Sequence, residues 1–123
     1  MTRHTILYVD DELMNLKLFA LQFRKEYEVL TETDPSKVLT ILQEQSTKID
    51  LVITDYMMPQ INGMDLVRLI KQHFPDKICI MLTGFMVDEV LKDESAMSLI
   101  HDYILKPYDR SDLMQKLHKA LAA

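Results

Sequence analysis

Cys79 is the single cysteine, which rules out an internal disulfide. It lies in an apolar run, Ile78 to Leu82, and reads as a small buried hydrophobe. That usage fits a reducing, cytoplasmic setting. Only two glycines occur, Gly63 and Gly84, so a flavin-binding domain would lack its glycine-rich phosphate loop. Positive charge is not in excess: 14 Lys and Arg face 19 Asp and Glu, for a net charge of −5. Direct nucleic-acid binding needs a basic footprint, so this balance argues against it. No apolar run approaches the length of a membrane span. The run from Ile6 to Val9 is too short for a secretory leader and ends in acids. Internal repeats and low-complexity tracts are absent too.

What is present is a globular composition, 48% hydrophobic over 123 residues, enough for one domain with a real core. Short apolar runs alternate with helical patterns five times. Thr5 to Val9 predicts a first buried strand that stops at Asp10, Asp11 and Glu12. A helix follows, with Leu13, Leu16, Ala20, Phe23 and Tyr27 at helical spacing. Glu28 to Leu30 predicts a weak edge strand. Asp34-Pro35 then signals a helix start, and Val38, Leu39 and Leu42 supply its inner face.

Leu51, Val52 and Ile53 predict a central strand ending at Asp55. Pro59 and Gly63 punctuate the loop after it. Val67, Ile70 and Phe74 face inward on the next helix, and Pro75 terminates it. Ile78 to Leu82 is a fourth strand, ending at Thr83-Gly84. Val87 to Met97 is a poorer, charge-crowded helix. Asp102 to Leu105 is a short fifth strand before Lys106-Pro107. Asp109 caps a last helix with Leu113, Leu117, Ala120 and Leu121 inward.

Such alternation predicts an α/β fold, a doubly wound five-stranded parallel sheet. Right-handed crossovers bring every strand's carboxyl end to one edge, where open sheets bind ligands. Asp10, Asp11, Asp55, Thr83 and Lys106 would meet there. Each has a bland reading alone: Asp11 as a helix cap, Asp55 as a turn acid, Thr83 as a strand residue, Lys106 as a solvated charge. Together they make a chemical set. Two unit charges about 4 Å apart at an effective dielectric near 20 interact by roughly 4 kcal/mol. Three carboxylates therefore call for a proton or a cation. An oxygen donor set with open positions suits Mg²⁺, or Mn²⁺. Lys106 and the Thr83 hydroxyl add donors for anionic oxygens around a carboxylate nucleophile.

The chain resembles the receiver domains of two-component response regulators over essentially its whole length. The matching motifs are Val9-Asp10-Asp11-Glu12, Asp55 to Pro59 with Gly63, Thr83-Gly84, and Tyr103 to Pro107. The resemblance implies the flavodoxin-like strand order 2-1-3-4-5. It implies Asp55 as phosphoacceptor, taking a phosphoryl group from a phosphohistidine of a histidine kinase or phosphotransfer protein. Asp10 and Asp11, directly or through water, would hold Mg²⁺ with Asp55 and the backbone carbonyl of Met57. Lys106 would contact the phosphoryl group, with Thr83 and Tyr103 as switch residues and a cis Lys106-Pro107 peptide. The function implied is a phosphorylation switch rather than an enzyme. Its readout would be the surface of the fourth and fifth strand–helix units, acting on a downstream protein or a missing effector domain. A homodimer through the fourth and fifth helices fits the family.

Residues 1–123 are expected to form this single receiver domain, without an effector domain. Met57 and Phe85 stand at positions near the reacting phosphate and are apolar, which predicts slow loss of the phosphoryl group. His4, His73, His101 and His118 are expected to be structural or solvated, and the nine methionines mostly core filler. A competing enzyme reading, a small phosphohydrolase with Asp10 as nucleophile and Glu12 beside it, leaves Asp55 without a role. A degenerate, partner-binding receiver is disfavoured because all five key residues are present.

Overall fold

Five short strands carry the β-branched and aliphatic runs: β1 (Thr5–Val9), β2 (Glu28–Glu32), β3 (Leu51–Asp55), β4 (Ile78–Thr83) and β5 (Asp102–Leu105). They form one sheet in the order β2-β1-β3-β4-β5. Every pairing is parallel, with Leu7 opposite Val52, Ile53 opposite Ile80 and Thr83 opposite Leu105. The computed structural model describes residues 3–84 and 92–122. Its helices are α1 (Leu13–Phe23), α2 (Val38–Gln45), α3 (Gly63–His73), α4 (Glu94–Met97) and α5 (Arg110–Ala122). The expected doubly wound sheet, and its order, are what the chain adopts.

Alternation along the strands splits the core into two clusters. One joins Ile6, Tyr8, Ile53, Ile80 and Leu82 to Phe19 and Phe23 of α1 and to Leu113 and Leu117 of α5. The other joins Leu7, Val9, Val52 and Met81 to Val38 and Leu42 of α2 and to Val67 and Ile70 of α3. Tyr8, Phe19 and Phe23 stack as tilted rings, with centroids 4.6 and 4.7 Å apart. Such pairs contribute about 1 kcal/mol each beyond their buried area.

Caps fix the helix starts. The Asn62 side chain accepts from Asp65 N–H at 2.8 Å to begin α3. Asp109 accepts from Ser111 N–H at 3.1 Å before α5. Asp34 does cap, but it caps a 3-10 turn over Pro35–Lys37, and α2 starts after that turn. The inner face of α1 differs from its sequence pattern. Leu16, Phe19 and Phe23 are buried, whereas Leu13 is exposed and Tyr27 lies beyond the helix, although buried. Helical spacing fixed the period there but offered two competing phases, and the Phe19 ring won by packing against Tyr8. Asp11 is not the cap of α1; Glu12 holds that position, without a side-chain cap bond. Met14 is exposed, unlike the core methionines Met58, Met64 and Met81. Of the helix expected over Val87 to Met97, residues 85–91 lie outside the described residues; Glu94–Met97 is helical.

Candidate functional site

Asp10 leaves the end of β1 fully buried. Its Oδ2 accepts from the Tyr8 hydroxyl at 2.8 Å and from the Asn15 amide at 3.1 Å. Its Oδ1 accepts from Glu12 N–H at 3.0 Å. Asp11 is exposed beside it, and Asp55 is buried at the end of β3. One carboxylate oxygen from each of the three lies within 4.8 Å of the others. Lys106 Nζ is 2.9 Å from Asp55 Oδ1 and 3.5 Å from Asp10 Oδ2. A tight loop return behind Asp55 secures its position. Gly63 N–H donates to the Tyr56 carbonyl at 2.7 Å. A Cβ at Gly63 would collide with the Asp55 backbone oxygen and stand 3.0 Å from Tyr56 Cα. Glycine is needed here for close approach, since φ is not positive.

Thr83 ends β4, 7% exposed, and its carbonyl accepts from Lys106 N–H at 2.7 Å. The switch candidate and the lysine are thus neighbours across the β4–β5 pair. Tyr103 lies opposite Met81, half-buried against the α2–α3 side of the core. Lys106-Pro107 is cis. The Met57 side chain is 56% exposed in the loop after β3. Phe85 lies outside the described residues. His4, His73, His101 and His118 are exposed and away from this cluster.

Burial pushes the Asp55 carboxyl up from its usual range; Lys106 opposes this and the Asp10 charge adds to it. Burial also works against the Lys106 charge, but Asp55 and Asp10 outweigh it and raise its pKa. Burial, then Asp10, drives the Tyr8 phenol far above its usual range, so Tyr8 stays a donor. Three carboxylates face one lysine in this cluster, and the donors are all hard oxygen atoms. That set fits a small divalent cation such as Mg²⁺.

Tyr8 and Asn15 escaped the sequence reading as parts of the site, and Gly63 stood in the matching motif without its packing role against Asp55. Strand alternation could have found Tyr8, two residues before Asp10 and so on the same face. A groove of about 390 Å³ opens beside the site, lined by Tyr8, Asn15, Leu18, Gln22, Lys106 and Tyr108 among others.

Comparison with known proteins agrees with this arrangement. The family model of the response regulator receiver domain matches residues 6–118. A putative two-component response regulator of Arabidopsis thaliana, ARR21, is 31% identical over 95% of this chain and 19% of its own length. The Escherichia coli transcriptional regulatory protein GlrR is 33% identical over 94% of this chain and 26% of its own length. The chain thus spans about a fifth to a quarter of these two relatives. A crystal structure of a receiver domain protein from Clostridium thermocellum superposes with a TM-score of 0.88 at 32% identity, covering 97% of this chain and 94% of that one. The response regulator TrrA of Thermotoga maritima, solved in complex with Mg²⁺-BeF, gives 0.83 at 28% identity, covering 96% and 99%. With the acidic edge, the lysine and the strand order all in place, this chain belongs to the receiver domain family of two-component response regulators.

Proposed function

We propose that Asp55 accepts a phosphoryl group from a phosphohistidine on a sensor kinase or phosphotransfer protein, in a Mg²⁺-dependent reaction. In that step the bond from phosphorus to the histidine nitrogen breaks, and a bond from phosphorus to an Asp55 oxygen forms. The observation that carries this reading is the buried Asp55 carboxylate, held 2.9 Å from Lys106 inside a cluster of three acids.

Asp10, Asp11 and Asp55, with the Met57 carbonyl, are the groups proposed to hold the cation. Bound there, Mg²⁺ supplies charge stabilisation for the transferring oxygens. Asp55 supplies the attacking oxygen. Lys106 orients it and offsets charge on the incoming group. The product places new anionic oxygens near Thr83, whose hydroxyl can donate to them. That bond biases a two-state equilibrium of the β4–α4–β5 region, with Tyr103 following Thr83. The domain acts in this reading as a switch, not as a turnover enzyme. Its readout is a downstream protein, an effector domain of a longer chain, or a second copy paired through α4 and α5. Among the described residues no helix is long and apolar enough to cross a membrane. A cytoplasmic site of action is proposed with the kinase.

Intact-mass analysis tests the proposal. The protein is incubated with acetyl phosphate, with and without Mg²⁺, beside Asp55→Asn. One Mg²⁺-dependent phosphoryl adduct on the wild type, absent from the variant, is expected. An adduct of equal extent on Asp55→Asn would overturn the assignment.

A further inference from the structure

Donors occupy both oxygens of Asp10. A carboxylate offers about four lone-pair sites. The Tyr8 hydroxyl at 2.8 Å and the Asn15 amide at 3.1 Å fill two of them, both on Oδ2. Lys106 Nζ crowds the same oxygen from 3.5 Å. Glu12 N–H takes one site on Oδ1 at 3.0 Å. What remains for any further partner is a single position on Oδ1.

We propose that Tyr8 and Asn15 are positioning residues that restrict Asp10 to one oxygen toward a divalent cation, and so favour Mg²⁺ over Ca²⁺ at this site. The inference rests on the reading of the acidic cluster as a cation site. Its chemistry is a matter of ligand count. Mg²⁺ demands near-ideal octahedral geometry from single oxygens, whereas Ca²⁺ accepts more ligands and takes carboxylates through both oxygens. With Oδ2 occupied, two-oxygen binding by Asp10 requires breaking two hydrogen bonds.

The fold holds both donors firmly. Tyr8 stands two residues before Asp10 and shares its face of the sheet. Its ring is 2% exposed and packs on Phe19 with centroids 4.6 Å apart. Asn15 lies in the first turn of α1, half-buried, and the backbone of that turn also supplies Glu12 N–H. Neither side chain is required to touch the cation. Both act through the orientation of Asp10, as outer partners of metal ligands do.

The test is isothermal titration of the metal-free protein with MgCl₂ and, separately, with CaCl₂. Wild type, Tyr8→Phe, Asn15→Leu and Asp10→Asn are compared, with urea unfolding as a check on folding. Each positioning variant is expected to bind Mg²⁺ about tenfold more weakly. Ca²⁺ affinity should hold or rise, so that the Mg²⁺ preference falls by about the same factor. Asn15→Leu changes a partly exposed helix position, and it keeps the test decisive if Tyr8→Phe disturbs the core. Unchanged affinities, or Mg²⁺ and Ca²⁺ affinities that shift together, would overturn the inference. The Asp10→Asn control separates the two layers. If it weakens Mg²⁺ binding, the cation site stands and the two positioning variants decide. If it leaves Mg²⁺ binding intact, or the wild type binds none, the site reading fails and this inference with it.

Discussion

At the β1 and β3 end of the sheet's carboxyl edge, the charged groups are tied down. Asp10 has donors on both oxygens, and Asp55 holds Lys106 and Tyr56 N–H. Behind them α1 and α5 are clamped. Arg110 pairs with Glu26 at 2.9 Å, bonds the Gln22 carbonyl at 3.0 Å and sits over the Phe23 ring. Tyr108 donates to the Gln22 side chain at 2.5 Å. At the β4 and β5 end, among the described residues, burial falls off at the edge strand. β5 has four residues and a mixed burial pattern. The described part of α4, Glu94–Met97, buries one side chain, Ala96. Polar Thr83 and half-buried Tyr103 occupy this end. Among the described residues, one end holds charge in a fixed geometry, and the other carries its polar groups on a short edge strand that is only partly buried.

Core truncation at each end gives the largest effect. Phe19→Ala, at the clamped end, should cost about 4 kcal/mol, and Ile100→Ala, beside β5, about 2 kcal/mol, by urea denaturation. Equal losses would break the contrast. At the junction of the two ends, Gly63→Ala forces a methyl group onto the Asp55 backbone. A stability loss of about 2 kcal/mol is expected, together with slower labelling by acetyl phosphate, because Asp55 is displaced. If stability falls but labelling keeps its rate, Gly63 supports the loop alone.

Met57 sharpens the contrast on the chemical side. It is exposed in the loop after β3 and cannot orient a hydrolytic water. Met57→Asn should speed loss of the phosphoryl group about tenfold, roughly 1.4 kcal/mol in barrier, by time-resolved intact mass. An unchanged lifetime would remove Met57 from the reaction.

The smallest effect is the pH dependence of the metal-free fold. The folded-state pKa of Asp55 is raised, chiefly by burial, so the fold holds this proton more tightly than the unfolded chain does. Its contribution therefore favours the fold in acid and is lost as pH rises through the folded pKa. Subtracting the Asp55→Asn stability curve from the wild-type curve, in a chelator, should show that loss. A difference that grows more favourable with pH would reverse the sign of the burial argument.

The sequence made the strands legible because each is a short apolar run ended by a polar group. Their carboxyl ends then follow from topology, and with them the meeting of Asp10, Asp11, Asp55, Thr83 and Lys106. Helix phase was less legible. In α1, Leu13 and Ala20 fit the helical period as well as Phe19 does, and only packing on Tyr8 separates them. The supporting groups were the least visible. Tyr8 looks like one more strand hydrophobe until its hydroxyl is seen on Asp10, and Gly63 looks like loop punctuation until its neighbour is seen to be the Asp55 backbone. Such roles depend on distances of a few ångströms, which periodicity does not encode.

The most direct test locates the modification itself. The protein is treated with acetyl phosphate and Mg²⁺, then reduced with borohydride, which converts an aspartyl phosphate to homoserine, and mapped by peptide mass spectrometry. Homoserine at position 55 alone is the predicted result. Homoserine at position 10 or 11, with Asp55 intact, would contradict the account.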